Sequence, residues 1–290
     1  MEDIISKLPS NIKYQILNQL NKDTAATEGQ PQPATNQIRN IISQEYLIDL
    51  CSDIKSEHLS FFTKDRLHQL EYDGYFVVDD FLNDRDFVER VHNESVKQYQ
   101  DQLLKPASMN KGADRWHDKQ IRGDSILWIH RDPLKNNSNE LNRPGVEIYE
   151  SIPNVNKLLD RLDDIKNELD LVVPSFKVQK SQTQLAVYPS GGKYVKHRDS
   201  FFSNDQLNQR RITMIYYSNL NWTKGDGGEL RLYTYNKNRK DLNANDKEQD
   251  HYIDIDPKAD RLLIFLSPFM EHEVLECIKE PRVAITTWIY

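Results

Sequence analysis

Three short stretches late in the chain carry residue types that could do chemistry together: His197-Arg198-Asp199, then His272, then Arg282 with Thr286 and Trp288 behind it. Two histidines and one carboxylate are the ligand set that leaves half of an octahedral Fe(II) site open for oxygen chemistry. An HxD pair alone recurs by chance in many chains, and a lone histidine such as His272 is more often structural. Of the eight histidines, only His197 combines a carboxylate two residues on with strand-like sequence on both sides. Residues i and i+2 of a strand share a face, so His197 and Asp199 can present two ligands from one strand end.

Arg282 adds a second kind of chemistry. Arg282, Ala284, Thr286 and Trp288 share one strand face by parity. An arginine buried on a core-facing strand is costly unless paired, and its fork matches a carboxylate bidentately. A bound organic acid is one partner for it. The alternative is an ordinary surface arginine. Taken with the triad, the pattern points to an enzyme that activates oxygen with the help of a carboxylate co-substrate.

The elements that must position these residues are mostly strands. Short apolar or alternating runs at 125–129, 146–152, 176–188, 212–218, 229–235, 252–255, 261–266, 274–278 and 283–289 are separated by turn residues, with one helix at about 155–169. That spacing predicts a sandwich or jelly roll. Upstream, a strand at 74–78 lies between helical stretches at 63–72, where Thr63 is a plausible N-cap, and 82–104. Residues 105–119 are polar and irregular, the character of a functional loop. Residues 236–250 read as a solvated insertion at a hairpin tip. The organisation is therefore an N-terminal amphipathic helix (1–20), a polar linker (21–37), a helical extension (38–62) and a catalytic domain (63–290).

Composition narrows the classes. The 290 residues carry a formal net charge of −7 with both signs mixed, which argues against nucleic acid as a partner. No apolar run is long enough to span a bilayer, and the sequence opens without a signal-peptide pattern. Cys51 and Cys277 form no CxxC pair and read as reduced thiols, so a cytoplasmic, monomeric protein is expected, with the nucleus as a second location.

These residues resemble the 2-oxoglutarate/Fe(II)-dependent dioxygenases, and more narrowly the prolyl 4-hydroxylases related to the hypoxia-inducible factor prolyl hydroxylases. The likeness runs from about residue 63 to 290. Beyond His197-Arg-Asp199, His272-Glu-Val274 and Arg282 it includes Tyr75-Phe-Val-Val-Asp79, Ile121-Arg-Gly-Asp124 with Trp128, Tyr188-Pro189, Tyr194-Val-Lys-His197, Ile215-Tyr-Tyr217, Gly227-Gly-Glu-Leu230 and Pro257-Lys-Ala-Asp-Arg-Leu262. The Ile-Arg-Gly-Asp/Trp element is the most specific of these, because most dioxygenases lack it. The resemblance implies a mainly β fold with flanking helices around a double-stranded β-helix (jelly-roll) core. It implies Fe(II) on His197, Asp199 and His272. Arg282 would grip the distal carboxylate of 2-oxoglutarate with the hydroxyls of Tyr217 and Thr286. Tyr188, Ile215, Leu230 and Trp288 would wall the pocket. Asp124 and Arg210 would pair beside the substrate entrance, with Arg122 on the same element and Trp128 as support. Oxygen would be the second co-substrate and ascorbate the reductant.

Within the family, the chain is most like a cytoplasmic branch of unicellular eukaryotes that hydroxylates one proline of the adaptor subunit of cullin–F-box ubiquitin ligases. The features behind this are the missing zinc-finger cysteine spacing, the Asn/Gln-rich linker and an end at Tyr290, where the animal enzymes continue into a helix. Residues 8–21 also faintly resemble the opening of an F-box, which would tether the enzyme to that adaptor. Three rivals are weaker. A nucleic-acid demethylating dioxygenase needs a second arginine where Trp288 stands. A non-catalytic jelly-roll module should have lost part of the site. A zinc hydrolase has no use for Arg282, Tyr217 and Thr286.

Overall fold

The computed structural model describes residues 60–108, 117–130, 146–148, 151–172, 178, 180–200, 209–234, 251–279 and 281–290. The N-terminal helix, the linker, the extension as far as residue 59, the F-box-like stretch, most of the 105–119 and 200–209 loops, the 236–250 insertion and the start of the expected 176–188 strand lie outside them.

In chain order the elements are α1 (Lys64–Tyr72), β1 (Tyr75–Val78), α2 (Arg85–Gln100), β2 (Lys105–Pro106), β3 (Ser125–His130), β4 (Val146–Ile148), α3 (Pro153–Val172), β5 (Ser181–Tyr188), β6 (Tyr194–His197), β7 (Ile212–Tyr217), β8 (Leu230–Thr234), β9 (His251–Ile255), β10 (Arg261–Leu266), β11 (His272–Val274) and β12 (Arg282–Ile289). An eight-stranded sheet runs β1-β10-β7-β12-β5-β3-β2, with β4 beside β3, and a four-stranded sheet runs β6-β11-β8-β9. Of these pairings β3–β4 is parallel. This is the mainly β, jelly-roll architecture that the strand spacing predicts.

Local chemistry sets the helix starts. Thr63 accepts a hydrogen bond from Arg66 N at 3.2 Å, and Asp84 accepts one from Phe87 N at 2.9 Å. At α3, Pro153 fills the first turn, where a missing N–H costs nothing. Glu94 of α2 accepts from the backbone N of Val155 at 2.6 Å and of Asn154 at 3.2 Å. Pro153 and this cap explain why the chain is helical from 153; of the strand expected over 146–152, β4 covers Val146–Ile148.

The large sheet is apolar on both faces. Ile212, Met214 and Tyr216 of β7 and Val283, Ile285 and Ile289 of β12 pack with Leu158, Leu159, Leu162, Ile165 and Leu169 of α3. That spacing is one helical face. The alternate residues Ile215, Tyr217 and Ala284 cluster with Leu230 and Leu232 of the four-stranded sheet and with Phe265 and Met270. Burial on both sides explains why β7 and β12 read as nearly continuous apolar runs.

Two boundaries shift. Phe62 is buried in the core, and Glu168 accepts from the backbone N of Phe61 at 2.9 Å and of Phe62 at 2.7 Å. The packed domain therefore includes residues ahead of the expected start at 63. The strand expected over 274–278 is β11, which ends at Val274; Cys277 then makes a single bridge to Gly227.

Candidate active site

The triad assembles where the small sheet faces the large one. His197 ends β6 and lies directly across from His272 of β11. Asp199 stands just beyond the strand end. The candidate ligand atoms of all three lie within 4.8 Å of one another, and among the described residues no other group of three or more His, Cys, Asp or Glu is so arranged. Asp199 Oδ1 is 4.0 Å from His197 Nε2, and Oδ2 is 3.8 Å from His272 Nε2.

Backbone carbonyls fix the ring orientations. His197 Nδ1 lies 2.8 Å from the Val195 carbonyl and His272 Nδ1 lies 3.1 Å from the Met270 carbonyl. A carbonyl only accepts, so each Nδ1 carries the proton and each Nε2 presents a lone pair to the centre of the triad. Thr213 donates to Asp199 Oδ2 at 2.8 Å and orients the carboxylate. Burial, with His272 adding to it, pushes His197 down to about 3, so its imidazole stays neutral. Burial raises Asp199, but His272, His197 and Arg210 outweigh it and hold the carboxylate below its usual range. A neutral imidazole and an ionised carboxylate are the states a metal ion requires.

A cavity of about 150 Å³ opens beside the triad, lined on one wall by Arg282, Ala284, Thr286 and Trp288. Strand parity puts these four together. Ligand pockets for drug-sized molecules run to several hundred Å³, so this one suits a small organic acid. Arg282 is buried, and Nε donates to the Gly228 carbonyl at 2.7 Å while Nη2 has no hydrogen-bond partner. No carboxylate among the described residues forms an ion pair with it. The rings of Tyr188 and Tyr217 flank the guanidinium, at 4.8 and 5.2 Å from centroid to Cζ. Tyr217 is not among the residues that line the cavity, and its buried hydroxyl has no hydrogen-bond partner. A bare, buried guanidinium nitrogen on the cavity wall is the complement of a carboxylate. Tyr188, Ile215 and Leu230 line the same cavity.

One expected pairing is different. Asp124, buried to 3 %, takes Arg122 bidentately at 2.7 and 3.0 Å, and no Asp124–Arg210 pair is formed among the described residues. Arg210 instead lies over Trp288, Cζ 4.0 Å from the ring centroid, and donates to the Tyr290 hydroxyl at 3.0 Å. The reason is reach: Arg122 is two residues from Asp124, whereas Arg210 is anchored by aromatic stacking on β12. Both arginines still line the cavity, with the Trp128 ring tilted at 39° to that of Trp288 and its centroid 5.6 Å away.

Five residues carry site geometry without an assigned role in the sequence reading. Tyr194 stacks on His197 at 3.6 Å and 20°, with Arg122 over its ring at 4.6 Å. Gln184 accepts from Arg122 at 3.1 Å. Thr213 holds Asp199, Gly228 holds Arg282, and Arg198 lines the cavity. Tyr194, Arg198 and Gly228 stand inside the Tyr194-Val-Lys-His197, His197-Arg-Asp199 and Gly227-Gly-Glu-Leu230 motifs, which were the available signal. Gln184 is opposite Thr286 in register and could have been found from strand pairing.

The fold and the triad are similar to those of the 2-oxoglutarate/Fe(II) oxygenases, a family that uses Fe(II) and 2-oxoglutarate with oxygen. Residues 183–290 match the family described as the 2OG-Fe(II) oxygenase superfamily. The fuller likeness is to prolyl hydroxylases of the hypoxia-inducible-factor type. The hypoxia-inducible factor prolyl hydroxylase of Caenorhabditis elegans is 32% identical over 220 residues, covering 74% of this chain and 26% of that protein. Human Egl nine homolog 1 is 30% identical over 226 residues, covering 75% of this chain and 44% of its own length. The chain thus spans less than half of either relative. Among solved structures, a prolyl hydroxylase from Trichoplax adhaerens in complex with a hypoxia-inducible factor peptide fragment shares the fold at a TM-score of 0.60 and 22% identity, over 90% of this chain and 94% of that one. A prolyl-4-hydroxylase from Pseudomonas putida does so at 0.56 and 23%, over 78% and 96%.

Proposed function

We propose that this chain is a prolyl 4-hydroxylase that modifies a proline of a protein, and that the protein is the adaptor subunit of cullin–F-box ubiquitin ligases. The observation that carries the prolyl reading is the position of the Ile121–Asp124 element. Arg122 lines the cavity, bonds Asp124 and Gln184, and covers the Tyr194 ring that stacks on His197. The family's most specific motif therefore stands against the metal triad. The adaptor reading is supported by the Asn/Gln-rich linker at 21–37 and the F-box-like pattern of residues 8–21. It places the reaction in the cytoplasm or nucleus, with a monomeric enzyme and an oxygen-dependent regulatory role.

Iron, when bound, supplies the activation of oxygen that splits 2-oxoglutarate into succinate and carbon dioxide, with one oxygen atom going to succinate and one to the proline ring. The chain's own residues do the rest. His197, Asp199 and His272 would hold the ion and leave positions on it free. Arg282 would pair with the distal carboxylate, with Tyr217 and Thr286 beside it. That pairing relieves the cost of a buried lone charge. Ile215, Leu230, Val274 and Ala284 add apolar side chains to the cavity lining, where they would help to exclude water. Trp128, Trp288 and Arg210 form the wall that a proline ring would face.

The test is to incubate the chain with Fe(II), ascorbate, 2-oxoglutarate and either the adaptor protein or proline peptides of the hypoxia-inducible factor type. Succinate formed in step with a mass gain of one oxygen on the adaptor is expected, and His197→Ala should abolish it. Hydroxylation of the peptides and not the adaptor overturns the substrate. No turnover of any proline substrate by iron-loaded protein overturns the prolyl reading.

A further inference from the structure

The three candidate ligands arrive on two chain segments that share little backbone pairing. The β6–β11 register joins only His272 to His197 and Val274 to Tyr194, with a bulge between them. β6 ends at His197, so Asp199 lies beyond the ladder. Outside the ladder the two segments are joined by charge. Glu271 directly precedes His272, and Lys196 and Arg198 bracket His197. Glu271 Oε1 is 3.2 Å from Arg198 Nη2, and Oε2 is 3.4 Å from Lys196 Nζ. Both oxygens of one carboxylate are thus taken by the two cations on either side of a ligand. The position of Glu271 is itself set, because its carbonyl accepts from Tyr233 N at 2.9 Å. Lys196 Nζ is held too, 3.7 Å above the Tyr233 ring.

We propose that Glu271 is a positioning residue: with Arg198 and Lys196 it clamps the segment bearing His197 and Asp199 onto the segment bearing His272, and so keeps the triad ready for a divalent ion. This rests on the reading of the triad as a metal site. An ion pair as exposed as this one adds little to global stability. Its leverage is local, because the clamp ties Arg198, as the Thr213 bond ties Asp199, to the rest of the site. Outer partners of metal ligands act on affinity through such orientation.

The sign of one substitution separates clamp from charge. Arg198 is a positive group beside a cation site, so if it acted by charge alone, its removal would tighten metal binding. If it acts as a clamp, its removal must loosen binding. The full chain is titrated with Mn(II), counting the free ion by its electron paramagnetic resonance signal. Glu271→Gln and Arg198→Gln are each expected to raise the Kd about tenfold, the lower end of what outer partners contribute, with near-UV circular dichroism unchanged. The reversed pair Arg198→Glu/Glu271→Arg should recover most of the loss. Arg198→Gln binding as tightly as wild type or tighter overturns the clamp, as does a reversed pair no better than the single variants. Wild-type binding that is lost in His197→Ala but intact in Glu271→Gln sinks the clamp alone. A wild-type chain that takes up no Mn(II), or a His197→Ala chain that binds as well as wild type, sinks the metal site and the clamp with it.

Discussion

Gly228 and Arg282 touch. The Gly228 carbonyl accepts from Arg282 Nε at 2.7 Å, and a Cβ at Gly228 would stand 2.9 Å from Arg282 Cδ and 2.8 Å from Cys277 Sγ. The backbone there has φ +74, where side chains are strained. Gly228→Ala should therefore push the guanidinium off its seat while leaving the metal ligands in place. The expected result is a KM for 2-oxoglutarate raised about tenfold or more, the worth of one charge-assisted bond of ~1.5–3 kcal/mol, with kcat at saturation changed far less. Steady-state kinetics with 2-oxoglutarate as the varied substrate decides it; an unchanged KM would mean that Arg282 does not bind the co-substrate.

Thr213 tests the carboxylate ligand in the same way. Its hydroxyl is fully buried, donates to Asp199 at 2.8 Å and lies 2.7 Å from Ser267 Oγ. Thr213→Val keeps the shape and removes the donor. Asp199 should then rotate more freely, and the d–d spectrum of the Co(II)-loaded chain should lose intensity and shift, with metal affinity falling about tenfold. Thr213→Ser should restore the wild-type spectrum. Identical spectra for all three would show that Asp199 needs no such support.

The outer half of the site was legible because strand parity is local. Arg282, Ala284, Thr286 and Trp288 could be assigned to one face from the sequence, and all four line the cavity. The stack of Tyr194 on His197 was not legible. The bulge in β6 puts the two residues at odd separation onto neighbouring positions, so the alternation rule fails there. The partner of Asp124 was illegible for another reason: choosing between Arg122 and Arg210 takes knowledge of what else each guanidinium stacks on. The jelly roll could be read from strand spacing, but β1 beside β10 and β12 between β5 and β7 are long-range pairings that spacing does not specify.

Asn219 ties the strand that carries Arg282 to the end of β7. Its Nδ2 donates to the carbonyls of Pro257 at 2.6 Å and Val283 at 3.0 Å, and its Oδ1 accepts from Val283 N at 2.7 Å. Asn219 is itself buried. Asn219→Ala leaves three backbone groups without partners, and a loss of ~3 kcal/mol or more is expected at the usual cost of unsatisfied buried groups. Asn219→Asp should be no better, because a carboxylate faces two carbonyls it cannot bond. Urea unfolding monitored by circular dichroism gives both values. A loss below about 1 kcal/mol for Asn219→Ala, within the net worth of a single hydrogen bond, would contradict this account.

His92 of α2 sets a pH dependence away from the metal site. Its Nδ1 is buried without a hydrogen-bond partner. Protonation would place a second N–H donor there with nothing to receive it. Burial accordingly lowers its pKa, against the opposing pull of the Ser218 carbonyl and Glu89. A histidine depressed in the folded state binds fewer protons than in the unfolded chain, so stability rises with pH. The contribution is fully present above the unfolded value, about 6.5, and is lost progressively as pH falls below it. Unfolding free energies of wild type and His92→Gln measured between pH 7.5 and pH 5, a range chosen to bracket that value, should converge as pH falls, because the variant has no proton to take up. Subtracting one curve from the other cancels the carboxylates and histidines common to both. Parallel curves would mean that His92 titrates alike in the folded and unfolded chains, and that its buried nitrogen does not disfavour the charged ring.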